Sequence, residues 1–472
     1  MYHSVSAQTD SLPRYLKIAA ENNPGVKAGF LTYLAALQKV PQAGALQDPQ
    51  LDLGFFLQPM EIVDGKQVAD VKLMQMFPWF GTRKAARTEA LHMAQMAFEQ
   101  FRETRDKLFL DVYTRWFTLC RLQQQLNNNR KNKKLLTHLE KLALQRFTAP
   151  IPAPEGGRRS NNRSESESAA APPSLGGAMN MTAPAVSPSP PMSQMSSMSQ
   201  MSRGNTSGMS EVLQIRLETA ETDNNMENIL SEIQAEKAKF NALLNRSAES
   251  EIQIPDSLKQ IPFILDIAAA KTLLANQNPM LNMISEEESA YRAKAEMDRK
   301  MSYPMFGIGL QYMLVNKKPA GAAVDDGMGG MSNTGGMNSM NGRDMIMPMV
   351  SVSIPVYRSK YRAQQRENAF LQQASREKYA DTQNMLEAEL YRTKHQMDNA
   401  ARRIALYRKQ TELAQTAFNL MIQEFASGKN DLSSVIQVQR QLLDYELKTA
   451  EAVADYNTMA ANIQKLMSDY DK

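Results

Sequence analysis

A chain of 472 residues with 43% apolar and 22% charged residues and a net charge of +4 has an ordinary composition, so charge points to neither a nucleic acid nor an acidic partner. A single cysteine, Cys120, excludes an intrachain disulfide and a paired-cysteine redox or zinc site, and four histidines leave little for a histidine-based metal centre. No run of about 18 apolar residues offers a transmembrane helix.

Met1 to Gln8 lacks the hydrophobic stretch of a signal peptide. Val5-Ser6-Ala7 is nevertheless similar to the small-residue end of a cleavage site, so a trimmed or late-assigned start is expected. Leu12 to Val40 reads as helix broken at Asn23-Pro24. Pro49 introduces a strand in which Leu51, Leu53, Phe55 and Leu57 alternate with Asp52, Gly54 and Phe56. After a turn-like segment at Asp64-Gly65, a second alternation (Val71, Leu73, Gln75, Phe77) ends at Pro78. The spacing predicts strands at about 50–58 and 69–77 and a long helix at about 82–147, with Leu108, Val112, Leu119, Leu122 and Leu126 on its apolar side. Residues 150–206, rich in Pro, Ser, Gly, Asn and Met, lack the apolar content to fold alone. A second helix is expected at about 209–246.

The order then repeats. Asn278-Pro279 answers Asn23-Pro24, and Pro304 answers Pro49. Phe306, Ile308, Leu310, Tyr312 and Leu314 form a cleaner strand face at about 304–314. Val350, Val352 and Ile354 alternate with Ser351 and Ser353 in a strand at about 346–354 that Pro355 ends. A Gly-, Asn- and Met-rich loop, 316–347, joins the two. From about 358 to 426 no Gly or Pro interrupts the chain, a helix of roughly 100 Å. Met397, Ala400, Ile404, Tyr407, Ala414, Phe418, Met421 and Phe425 recur along it at heptad spacing, the seam of a coiled coil. Gly428 breaks it, and a last helix at about 432–468 carries Val435, Val438, Leu442, Tyr445, Tyr456, Met459, Ile463 and Leu466. Val212-Leu213-Gln214 and Val435-Ile436-Gln437 match as well. The chain is therefore expected to be a duplicated unit, residues 1–253 and 254–472, mixed but mainly α and elongated.

Four strands of about ten residues, each with one apolar face, are too little for a free sheet and are long enough to cross a bilayer. Only closed barrels satisfy their backbone in lipid, and four strands require other chains to close. Gly307, Gly309 and Gln311 opposite the apolar row favour that reading.

The duplicated Asn-Pro helix, the Phe77-Pro78-Trp79-Phe80-Gly81 and Ile354-Pro355-Val356-Tyr357 passages into long helices, and the Phe425-x-x-Gly428 turn resemble the TolC family of outer-membrane efflux proteins. The resemblance implies a homotrimer with a 12-stranded barrel in the outer membrane of a Gram-negative bacterium, four strands per chain, continued by a periplasmic α-helical barrel. It implies no cofactor and no catalysis. A periplasmic membrane-fusion adaptor, an inner-membrane pump of the RND type and outer-membrane lipid would be the partners, and nucleic acid would not. Phe306, Ile308, Leu310, Tyr312, Val350, Val352 and Ile354 would face lipid. Gly428, Lys429, Asn430, Asp431, Ser434 and Gln437, with Glu211 in the other half, would form the helix tips at the periplasmic aperture. Where relatives carry acids in the returning helix this chain has Ser434 and Gln437, so a charge ring would have to draw on Asp431 and Glu211. Many relatives carry a lipid on an N-terminal cysteine, and here no cysteine stands there. A type I protein-secretion duct is an alternative within the family, and a non-channel coiled-coil interaction protein is one outside it.

Methionine clusters in both inserts. Met192, Met195, Met198 and Met201 fall at every third place, and Met328, Met331, Met337 and Met340 fall in the second loop. Thioether sulfur is a soft ligand that prefers Cu(I) and Ag(I), so heavy-metal resistance is one expectation. Methionine accumulated without function, or adaptable protein contact, are the others. His92 and His395 have no spaced partner, and Arg83, Lys84, Arg87, Arg358 and Lys360 read as basic residues snorkelling where strands give way to helices.

Overall fold

The computed structural model describes residues 12–62, 65–148, 207–317, 342–427 and 429–470. Its elements are α1 (Leu12–Asn22), α2 (Pro24–Ala43), β1 (Gln50–Ile62), β2 (Gly65–Phe77), α3 (Thr82–Thr148) and α4 (Ser207–Leu243), then α5 (Ile267–Gln277), α6 (Pro279–Met301), β3 (Met305–Asn316), β4 (Met345–Ser353), α7 (Arg358–Ala426) and α8 (Leu432–Met467). Helix, helix, strand, strand, long helix, long helix thus occurs twice. No described helix is long and apolar enough to cross a membrane.

The helix boundaries follow from local chemistry. Asn23 caps α2 by accepting from the Gly25 and Val26 amides at 2.9 and 3.2 Å, and Asn278 caps α6 through Met280 and Leu281 at 3.0 and 3.4 Å. Pro follows each cap at the first helical position, where its missing N–H costs nothing. α4 stops at Leu243, short of the expected end near 246. Asn245 turns left-handed there (φ 54°) and the Arg246 amide returns to the Asn241 carbonyl at 2.9 Å. α8 ends alike, with Ser468 at φ 52° and the Asp469 amide on the Gln464 carbonyl at 3.1 Å.

The four strands form one antiparallel sheet in the order β1-β2-β3-β4. β1 and β2 extend well beyond the expected ends at 58 and 69, to Ile62 and Gly65. Pro59 is accommodated because it lies in the register shift between Phe55 and Met60, where β1 has no partner on β2 and the missing donor breaks no pair of that ladder. Pro348 lies in β4, the other edge. β4 runs from Met345 to Ser353, which leaves Ile354 just past its end.

The chain divides into two compact units. The first comprises Met1–Asn127, Ile229–Thr411 and Tyr445–Lys472 and holds the sheet. Its helical core buries Leu274, Leu281, Leu390, Met397, Ala400, Ile404, Tyr456, Ile463 and Leu466 together, so the expected heptad seam is a packed seam. A second cluster sets Tyr15 against Phe240 (ring centroids 5.1 Å) and Trp116 (5.4 Å). The second unit comprises Asn128–Asn228 and Glu412–Asp444. There Leu136, Leu139, Ile215, Phe418, Phe425, Leu432 and Val435 are all buried.

Candidate functional site

The sheet has two chemically different faces. Phe306 pairs with Phe77 and Val352, Ile308 with Gln75 and Val350, Leu310 with Leu73 and Pro348, and Tyr312 with Val71 and Ile346. Leu51 and Leu53 continue the row on β1 through their pairing with Leu73 and Val71. This row stands in solvent: Ile308 is 62% exposed and Val350 78%. So large an exposed apolar surface on a sheet marks an interface with another apolar phase. The opposite face carries Asp52, Asp70, Lys72, Gln311 and Ser351 beside Gly54, Gly307 and Gly309, and the Gln311 amide donates to Asp70 at 3.4 Å. Apolar outside and polar inside is the pattern of a membrane barrel strand.

An aromatic group marks the end of the strands, in the passages that lead into the long helices. Trp79 stacks on Tyr303 (5.1 Å) and lies 5.8 Å from Phe306, while Phe80 and Tyr357 are each 83% exposed. Amphipathic rings at this level suit a membrane–water boundary. Their signal was present in the matched Pro78-Trp79-Phe80 and Pro355-Val356-Tyr357 stretches. Arg83, expected to snorkel, donates through Nε and Nη2 to the Gly44 carbonyl at 2.8 and 2.6 Å, tying the end of α2 to the start of α3. His92, for which no spaced metal-ligating partner is expected, meets the Glu286 carboxylate at 2.7 Å.

In the second unit, the passage from α7 to α8 is closed by its own polar groups. The Lys429 amide donates to the Glu424 carbonyl at 2.9 Å, and the Asn430 side chain donates to the Glu424 carboxylate at 3.3 Å. Asp431 precedes α8, and its carboxylate accepts from the Ser434 hydroxyl at 2.7 Å. Ser434 and Glu211 are half-buried, and Asp431 and Gln437 are exposed. Gly428 lies outside the described residues, as do Met192, Met195, Met198, Met201, Met328, Met331, Met337 and Met340. The ion pairs of this unit went unforeseen. Arg440 Nε donates to both Glu218 oxygens at 3.0 and 2.9 Å, and this hydrogen bonding holds the guanidinium pKa above its ordinary value. Lys133 reaches Asp223 at 2.6 Å. Periodicity marks these positions as polar, but no spacing within one helix says which charge of another lies opposite.

Residues 271–468 match the family described as outer membrane efflux protein. Among solved structures the chain is similar to VceC from Vibrio cholerae, with 12% identity over 97% of this chain and 95% of that one and a TM-score of 0.65. It is similar to CusC with 12% identity, 97% and 92% coverage and a TM-score of 0.66. For the open state of the MtrE outer membrane channel of Neisseria gonorrhoeae the values are 11%, 97%, 88% and 0.64. At these identities the likeness is one of fold. No curated protein sequence matches the chain. The fold so defined is that of the TolC-like channels, with strands of the barrel kind followed by long helices. The family match lies in the second half of the chain, and over the whole chain the likeness to these outer-membrane channels is one of fold.

Proposed function

We propose that this chain forms, as a homotrimer, the exit duct of a tripartite efflux system, passively conducting Cu(I), Ag(I) or related soft ions from a periplasmic adaptor and an RND-type inner-membrane pump to the exterior. The observation that carries the trimeric duct is the sheet with two open edges, β1 and β4, and opposed apolar and polar faces. Unpaired edges in lipid leave backbone groups unsatisfied, so β4 of one chain pairs with β1 of the next until the ring closes. The polar face then lines the passage and the apolar face meets outer-membrane lipid. The duplicated halves, 1–253 and 254–472, supply two strands and two long helices each. Residues 429–437 and Glu211 form the periplasmic aperture, where Asp431 and Glu211 stand in for a ring of acids.

The methionine tracts at 192–201 and 328–340 support soft-ion cargo through thioether chemistry. Cell-associated silver and copper are to be measured in cells lacking the protein and in cells complemented with it. Both metals rise on loss and fall on complementation if the reading holds. Unchanged metal content sinks the soft-ion cargo and leaves the duct to organic toxicants.

A further inference from the structure

The described strands place methionine where a barrel interior ordinarily carries polar groups. Two rungs of the polar face read Met76–Gly307–Ser351 and Met74–Gly309–Met349 across β2, β3 and β4. A glycine stands at the centre of each. β2 and β4 are two strand spacings apart, about 9.6 Å, so side chains meet across β3 only if the central residue leaves room and they lean inward. They do. A Cβ at Gly307 would collide with Ser351 Oγ and lie 2.5 Å from Met76 Sδ, and one at Gly309 would lie 3.7 Å from Met349 Cε. Ser351 Oγ is 3.6 Å from both Met74 Sδ and Met76 Sδ, so one hydroxyl is within reach of two thioether acceptors. Met74, Met76, Met349 and Ser351 are all half-buried, sheltered by one another yet open on one side.

Two sulfurs aimed at one hydroxyl, with the Met349 side chain over the neighbouring glycine, make a soft donor set without a carboxylate or imidazole in either rung. We propose that Met74, Met76 and Met349 bind a soft monovalent cation, Ag(I) or Cu(I), over the Gly307–Gly309 furrow, with Ser351 turning its hydroxyl proton aside. Thioethers select such ions over zinc or magnesium. Binding displaces only the weak hydroxyl–sulfur contact and leaves the ion's oxidation state unchanged. The site rests on the reading of the polar face as the duct lining, and it lies apart from both methionine-rich inserts.

The test uses the full chain, purified from membranes in detergent, with Met192, Met195, Met198, Met201, Met328, Met331, Met337 and Met340 changed to Ser so that the inserts do not compete. Silver nitrate is titrated in chloride-free buffer, bound silver is counted by elemental mass spectrometry, and its ligands are read by X-ray absorption. The comparison is the triple variant Met74→Leu, Met76→Leu, Met349→Leu, which keeps side-chain volume and removes the sulfur. Met397→Leu, in the helix seam, is the control. The parent and the control bind silver through sulfur, and the triple variant loses affinity by about tenfold or more. Equal binding in parent and triple variant, or no binding in the parent, overturns the site and leaves the methionines as packing. Conductance in planar bilayers is recorded on the same samples. A parent that conducts without binding silver loses the site alone, whereas a parent that never conducts loses the duct reading.

Discussion

The side-chain amide of Asn278 donates to the Leu466 carbonyl at 2.9 Å while its oxygen caps α6, so one residue closes the end of α8 and opens another helix. Asn23 makes the same bond to Leu243 at 2.9 Å, at the end of α4. An Asn-Pro step thus joins a helix start to a long helix's end in each half, which gives the repeated dipeptide a physical reason. Asn278→Ala should lower stability by about 2 kcal/mol, combining a lost cap with a stranded buried carbonyl. Asn278→Asp keeps the acceptor and loses the donor, so it should not rescue. Guanidinium unfolding midpoints check both, and an Asp variant as stable as the parent removes the Leu466 bond from the account.

Charge on the two faces of β3 should act oppositely. Ile308→Lys puts an ammonium on the apolar row, which in a bilayer costs about 2–4 kcal/mol near mid-depth, whereas Gln311→Lys adds charge to a face that already carries Asp70 and Lys72. Outer-membrane fractionation and heat-modifiable migration should show reduced assembly for the first and normal assembly for the second. Equal tolerance contradicts the facing.

Cys120 is 1% exposed, and burial pushes its thiol up to about 12, far from the thiolate that reacts. A maleimide at pH 8 should leave the native chain unlabelled and label it fully in denaturant. Rapid native labelling would mean that the α3 interior opens.

Two carboxylates should give pH dependences of opposite sign. Burial alone would raise Glu236, but hydrogen bonds and charge from Lys239 and Arg115 override it and hold its pKa below the usual value. Its stabilisation is present at neutral pH and fades as pH falls through that lowered value. Asp455 is raised by burial, which outweighs the relief from Arg403, and nearby Glu451 adds to the rise. Its contribution is complete at low pH and is lost as pH rises through the raised value. Glu236→Gln should therefore lower the melting temperature at pH 7, with the gap closing in acid. Asp455→Asn should hold or raise it at pH 7. Melting curves at both pH values decide, and matching signs would contradict the assignment.

Much of this architecture is legible in the chain. A seam such as Met397, Ala400, Ile404 sets a helix that runs to Ala426, and alternation such as Val350, Ser351, Val352 sets both a strand and its faces. The first hairpin was harder. Pro59 reads as a strand end, and the register shift around it lets the strand continue to Ile62. The Met74–Gly309–Met349 rung was invisible for another reason. Its members come from three strands, and only the register brings them level. The same holds for Arg440 and Glu218, which lie on different helices.

The most direct test of the central claim is the mass, by light scattering in detergent, of the protein extracted from outer membranes. The account predicts a particle of three chains in which β4 of each closes on β1 of the next. A monomer that washes free of the membrane without detergent would contradict it.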